Sequence, residues 1–287
     1  MVSINTNPGA LIALQNLTRI NDSLAETQRR VSTGLEVSSA ADNPALFALA
    51  QRQRAELGSI ESVQQGIRIG TSAVDVALAA GEGVSDILIE LRSIAAQATD
   101  PALSAGELQV LEDQFVSLRE QVERLVSSAE IGGRNLLAAG ADDLSVIANT
   151  DGTESITVGA QDFSATGGIL TISFTDTPFG EVVDGGGAVT TTAQQAAQAQ
   201  ITAIEASIDN VSVALGSLGA GSQSLELQGS LLSRIGDTLE VSIGNLVDAD
   251  LARESSRLQA LQVQQQLAIQ TLSIANAAPN SILALFA

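Results

Sequence analysis

The apolar residues of this chain recur at intervals of three and four over stretches far longer than one globular helix, and that period limits the folds open to it. Leu108, Leu111, Phe115, Leu118, Val122 and Leu125 form one such stripe, with Arg and Glu between them. Ser104, just after Pro101 and three residues before Glu107, is a capping-box signature at its start. The same rhythm links Ala77, Ala80, Val84, Ile87, Leu91, Ile94 and Ala98, in a segment that Asn43 opens as N-cap and Pro44 as first helical residue. A helix from there to Ala98 is about 80 Å long at 1.5 Å per residue, more than a globular diameter. A third stripe runs through Ala197, Ile201, Ile204, Ile208, Val211, Leu215, Leu218, Ser222, Leu225, Gly229, Leu232, Gly236 and Leu239.

Each stripe is too narrow for a globular core face. The pattern therefore predicts a mainly α fold, a rod of long helices packed along their length in a coiled-coil-like bundle. Leu91, Ile94, Leu108, Leu111, Phe115, Leu118, Ile204, Ile208 and Leu215 are its expected packing positions. The glycines at 216, 219, 221, 229 and 236 are expected to weaken the third helix, since Gly costs about 1 kcal/mol against Ala in a helix.

From Leu144 to Phe174 the period changes to alternation. Leu144-Ser145-Val146 and Ile156-Thr157-Val158 flank Asp151-Gly152, a hairpin turn signal, and Ile169-Leu170-Thr171-Ile172-Ser173-Phe174 follows. Gly185-Gly186-Gly187 and Thr190 to Thr192 read as a flexible return to helix. No Arg lies between Arg134 and Arg234, whereas eleven acids do, so this small β-hairpin excursion is expected to be a solvated, negative face. Thr150, Ser155, Thr171 and Ser173 are its candidate glycan-bearing hydroxyls, with plain solvation as the alternative.

Both ends can coil. Leu17, Leu24 and Val31 stand seven apart near the start; Leu258, Leu261, Ala268, Leu272 and Ala275 repeat near the finish with Gln265 inside the stripe. The inner seam is expected to comprise Leu11, Leu17, Leu24, Val31, Leu251, Leu258, Leu261, Ala268, Leu272, Ala275, Leu283 and Phe286. After Arg257 the last 30 residues carry no charge, so a lone helix there exposes apolar surface on several sides. Such a segment is expected to be disordered when free and to fold when several copies meet. The cluster Gln262, Gln264, Gln265 and Gln266 is expected to set register by amide hydrogen bonds. Asp42 and Asn43 read as a helix cap before Pro44. Asp248 and Asp250, two apart on a helix, do not face each other and so do not read as a calcium site.

Composition removes most chemistry. There is no His, Cys, Trp or Tyr, and all 13 basic residues are Arg. Ser-His-Asp and Cys-His nucleophiles, Schiff-base lysines, Gly-Lys phosphate loops and His or Cys zinc sites are therefore excluded. A net charge of −20 and only six Phe argue against nucleic acid. No run of eighteen apolar residues is present to insert in a membrane, and Met1 to Asn7 lack the features of a cleavable secretory signal. No catalytic residue, metal ligand or cofactor is expected. A carboxylate-only hydrolase stays open on composition, although no acid pair sits on what reads as a rigid concave scaffold.

The two ends resemble bacterial flagellin. At the start these are Ser3-Ile4-Asn5-Thr6-Asn7, Ala10-Leu11, Arg30-Val31-Ser32-Thr33-Gly34-Leu35-Glu36-Val37 and Ser39-Ala40-Ala41-Asp42-Asn43, with Gln97-Ala98-Thr99 closing the first long helix. At the finish they are the run from Asn245 to Ser255, Gln264-Gln265-Gln266-Leu267, Ala275-Asn276 and Asn280-Ser281-Ile282-Leu283. The resemblance implies a filament subunit with residues 1–43 and 246–287 as innermost coiled coil, 44–139 and 190–245 as helical rod, and 140–189 as a short outer excursion in place of large outer domains. It also implies an extracellular protein exported unfolded through the flagellar type III apparatus with a chaperone. Its implied partners are copies of itself and the hook-associated junction and cap proteins. The alternative on the same scaffold is a hook-filament junction protein. A flagellin carrying a metalloprotease would need His-Glu-x-x-His, and this chain has no His. Family members detected by Toll-like receptor 5 carry a basic residue where this chain, aligned on Gln97-Ala98-Thr99, has Glu90 beside Ile89. That charge reversal predicts escape from the receptor.

Overall fold

The computed structural model describes residues 6–174, 177–180, 182–183 and 189–283. Its helices are α1 (Pro8–Thr33), α2 (Pro44–Gln97), α3 (Ala105–Ser128), α4 (Ala193–Val247) and α5 (Leu251–Leu283). Their ends follow local chemistry. The Asn7 side chain accepts the Ala10 N–H at 3.2 Å with Pro8 at the first turn, and Asn43 accepts the Leu46 N–H at 3.2 Å ahead of Pro44. Ser104 and Glu107 cap α3 reciprocally. Gly34, at φ 72°, ends α1 in the left-handed region that a side chain would strain. Three short antiparallel pairs complete the set: β1 (Glu130–Ile131) with β2 (Arg134–Asn135), β3 (Leu144–Ile147) with β4 (Ser155–Val158), and β5 (Val182–Val183) with β6 (Val189–Thr191). Among the described residues no helix is long and apolar enough to cross a membrane.

The chain divides into two compact units. One comprises residues 59–235. Its core is drawn from α2 (Val74, Val84, Leu88, Leu91), α3 (Phe115, Val122) and α4 (Ile204, Leu218, Leu225), all fully buried. Of the predicted packing positions, Leu91, Ile94, Phe115 and Ile204 are buried, whereas Leu108, Leu111, Leu118, Ile208 and Leu215 are half-buried. On α4 the inward positions next to Ile204 and Val211 are Gln200, Ser207 and Ala214, one step from the expected Ile201, Ile208 and Leu215. The middle segment supplies the reason: it gives Gln200 and Ser207 hydrogen-bond partners on that flank.

The excursion is therefore solvated on one side only. Leu144, Val146, Ala148, Val158, Phe163, Leu170, Ile172 and Phe179 are all buried. A two-stranded hairpin is marginal in water alone, and this one gains its stability by laying its apolar face on helices. The predicted hairpin over Asp151-Gly152 is present, with Gly152 at φ 68°. Ile169 to Phe174 does not form a strand. Its backbone is held by α4 side chains, with the Thr171 N–H donating to Ser207 Oγ at 2.8 Å, the Ser173 N–H to Gln200 Oε1 at 3.1 Å and Asn210 Nδ2 to the Ile169 carbonyl at 3.2 Å. The expected flexible return is in part strand β6, while Gly185 to Gly187 lie outside the described residues. β1 and β2, joined by Gly132 and Gly133 at φ 60° and 80°, were not foreseen from the sequence.

The other unit comprises residues 1–58 and 236–287. Val37, Ala50, Ile243 and Val247 form a small core, with Leu35, Leu46, Phe47, Leu57 and Leu246 packed against it. Its two turns are joined through the backbone. The Glu36 and Val37 N–H groups donate to the Val247 carbonyl at 2.7 and 3.3 Å, and the Ala249 N–H donates to the Gly34 carbonyl at 2.9 Å.

Candidate assembly surface

α1 and α5 pair along a seam with heptad spacing. On α1 it runs through Ala13, Leu17, Leu24, Thr27 and Val31; on α5 it runs through Glu254, Leu258, Leu261, Gln265, Ala268, Leu272 and Ala275. Ala13, Thr27, Glu254 and Leu261 are buried and the rest are half-buried. Leu11 and Leu251 do not join this seam: Leu11 is 57% exposed, because Ala10 and Ala13 take the facing positions. Leu283 ends α5 with no side chain described, and Phe286 lies outside the described residues.

Polar pairs punctuate the seam at three levels. Asn7 Nδ2 donates to the Ala275 carbonyl at 2.7 Å, Gln265 Nε2 donates to Asn21 Oδ1 at 2.7 Å, and Arg30 Nη1 lies 3.5 Å from Glu254 Oε1. As the α1 number rises the α5 number falls, so the helices are antiparallel in one register. Of the glutamine cluster, Gln265 alone sits in the seam; Gln262, Gln264 and Gln266 are exposed. Arg30 also holds Glu26 at 2.7 Å, and Glu254 Oε2 is buried without a hydrogen-bond partner. A carboxylate buried with one oxygen unmatched contributes little stability, whereas a slipped register would take Arg30 away from Glu254 and leave that carboxylate with no partner. Sequence reading missed this pair because charged residues in an apolar rhythm read as solvent positions.

The end of the seam where α1 finishes and α5 begins is fixed by carboxylates. Asp250 is not inside a helix, as expected from sequence, but caps α5 by accepting the Ala252 and Arg253 N–H groups at 3.0 and 3.1 Å. Asp248 lies in the same turn, bridged to Leu35. Asp42 accepts the hydroxyl and N–H of both Ser38 and Ser39 at 2.9 to 3.1 Å. The Ser38 and Ser39 hydroxyls, with the backbone N–H groups, hold its carboxyl below the ordinary 3.8. Asn43, rather than Asp42, is the cap of α2.

Outside the seam the pair remains apolar. Leu11, Ile12 and Leu14 on α1 and Val263, Leu267, Ile269 and Ile274 on α5 are exposed, Ile274 to 71%. Two helices can cover only one stripe of each other, so in the single chain these side chains face solvent. Covering each such side chain fully contributes about 1.5–3 kcal/mol.

Elsewhere the surface offers little chemistry. Among the described residues no group of three or more acids is placed to hold a metal ion. Thr150 and Ser155 are exposed, but the Thr171 hydroxyl donates to the Ala203 carbonyl at 2.7 Å and Ser173 is half-buried. Glu90 is exposed on α2 beside exposed Ile89, and the nearby Arg92 is bound to Glu205 at 2.7 Å.

The family model described as bacterial flagellin N-terminal helical region matches residues 4–142, and that described as bacterial flagellin C-terminal helical region matches residues 201–286. Flagellin FljK of Caulobacter vibrioides is 39% identical over 285 residues, covering 99% of this chain and 98% of that protein. A flagellin of Brucella melitensis is 35% identical over 296 residues, covering 100% of this chain and 99% of its own length. Among solved structures, the putative flagellar hook-associated protein of Vibrio parahaemolyticus is similar in fold, with a TM-score of 0.57 at 16% identity over 72% of this chain and 100% of that one.

Proposed function

This chain belongs to the bacterial flagellin family, and on that premise we propose that α1 and α5 build the innermost layer of a flagellar filament and fold fully only where copies meet. The protein is a structural subunit of that filament. The observation that supports the role of the ends is the set of apolar side chains left outside the α1–α5 seam, in a terminal segment with no charge after Arg257. Head-to-tail contacts that do not close on themselves generate an open helix, and apolar burial at the growing end offsets the ordering entropy. With −20 per subunit, polymerisation is expected to speed up with added salt.

The subunit travels unfolded through the flagellar type III apparatus, with a chaperone and without a cleaved signal, and borders the hook-associated junction and cap proteins. No catalytic activity is assigned to it. Thr150 and Ser155 are the hydroxyls open to glycans, since Thr171 would have to break its bond to Ala203. Exposed Glu90, with its nearby arginine already bound to Glu205, favours escape from Toll-like receptor 5. A reporter-cell response equal to that of an activating flagellin would end that part of the proposal.

Seeded elongation tests the main reading. Monomer is added to sheared filament fragments beside a chain ending at Arg257, and growth is followed by light scattering and electron microscopy. The expected result is long filaments from the full chain alone. A folded monomer that never elongates would instead fit the junction protein. Trypsin adds a second readout, with early cutting expected at Arg19, Arg29, Arg30, Arg253 and Arg257 in the monomer and protection in the polymer.

A further inference from the structure

The hairpin β3–β4 has a hollow along each of its two edges, largely apolar on the β3 side and mixed on the β4 side, and the hollows differ in charge. On the β3 side a groove runs between the hairpin and α2, walled by Ile69, Ile131 and Ile147, with Gly66 in its lining. Ile69 is 59% and Ile147 52% exposed, and a Cβ at Gly66 would meet nothing within 4 Å. The single charged residue lining this groove is Arg134. On the β4 side a second hollow lies against α4, lined by Ile156, Leu227 and Leu231, with Leu227 64% exposed. Its single charged residue is Glu154.

We propose that these are the two halves of one contact between copies of this chain, the Arg134 groove of one subunit receiving the Leu227 and Glu154 face of the next. Two unlike patches on one chain make a head-to-tail contact, the kind that propagates instead of closing. The open space over Gly66 has room for a projecting leucine. Each hollow brings one charge, and the charges are opposite. Of the unit's six arginines, Arg134 is the one that lines this groove, while Arg92 and Arg124 are ion-paired elsewhere. Like charges at such a contact repel, so charge also rejects a wrong face. This contact rests on the filament reading and names a surface that the terminal helices do not supply.

The test is seeded elongation of the full chain with Arg134→Glu, Glu154→Arg, the double reversal, and Gly66→Leu. Each single reversal is expected to slow elongation at least about tenfold, and the double reversal to restore it to within about threefold. Gly66→Leu places its Cβ in open space and its side chain in the groove, so monomer melting is expected to hold or rise while elongation falls. Single variants that elongate like the unaltered chain, or a double variant no faster than the slower single, would overturn the contact. If the unaltered chain itself fails to elongate, the filament reading falls and this contact with it.

Discussion

The two units of this chain are stabilised by different means. Among the described residues, the large side chains that are fully buried, including Phe115, Phe163, Phe179, Leu88 and Leu218, all belong to residues 59–235. The terminal unit buries mostly smaller residues such as Ala13, Val37 and Ala50, with Ile243 and Leu261 the largest of its buried apolar side chains. Charge follows the same division. Residues 1–58 and 236–287 hold seven Arg against ten acids, a net −3, whereas residues 59–235 hold six against twenty-three, a net −17. A unit with its own core can carry strong self-repulsion on its surface, and the low net charge of the terminal unit suits the packing between copies proposed for it.

Core truncation should separate them most. Phe115→Ala removes a ring that packs edge-on against Phe179 at 5.2 Å, and should cost about 3–5 kcal/mol in denaturant unfolding of the monomer. Leu272→Ala, on the terminal seam, should leave that transition nearly in place and slow elongation instead. Equal losses in monomer stability would mean that the terminal pair already shares the core's cooperativity.

A smaller effect, of opposite signs, is expected at two glycines of α4. A Cβ at Gly221 would lie 2.7 Å from Val158 Cγ1, whereas one at Gly219 would meet nothing within 4 Å. Gly221→Ala should therefore destabilise by on the order of 1 kcal/mol after its helix gain, and Gly219→Ala should stabilise by roughly 0.5–1 kcal/mol. Two stabilised variants would show that the hairpin does not sit where Gly221 admits it.

The smallest effect is a contrast in pH dependence. Asp42, in the terminal unit, has its carboxyl held below 3.8, so its contribution is present above that value and is lost as pH falls through the lowered one. Glu112, buried on α3 where it accepts the Phe179 N–H at 3.2 Å, is pushed above 4.5 by desolvation. Its contribution has the reverse sign, present below 4.5 and lost as pH rises through the raised value. Asp42→Asn should flatten the loss of stability in acid and Glu112→Gln should flatten the loss on the alkaline side, in melts between about pH 3 and pH 6. Slopes of the same sign would refute the assignment.

Much of the fold was legible because helices announce themselves by period and by caps. Asn43-Pro44, Ser104 with Glu107, and the stripe from Leu108 to Leu125 each place an element that the structure contains. The excursion was misread because net charge describes a segment's surface and not its inner face. Acids at Asp142, Asp143, Asp151 and Glu154 are compatible with Leu144 and Val146 facing helices. Glycines in α4 were read as weakness, but Gly221 is where Val158 enters, and Gly70 on α2 does the same for Val146. That distinction lies between elements distant in sequence. The terminal seam was half legible. Leucines and Gln265 stood out, whereas Arg30 with Glu254 could be paired only once the register was known.

That register has a consequence for the order in which structure can form. Asn7 waits for Ala275 and Arg30 for Glu254, partners 268 and 224 residues further along. Loop closure across such a span is slow, and no local contact can stand in for it. A chain arriving end first from any narrow passage can thus complete α2, α3 and the hairpin while α1 still has nothing to pair with. The last helix to emerge decides when the first one is finished, so only a whole subunit can present a completed end.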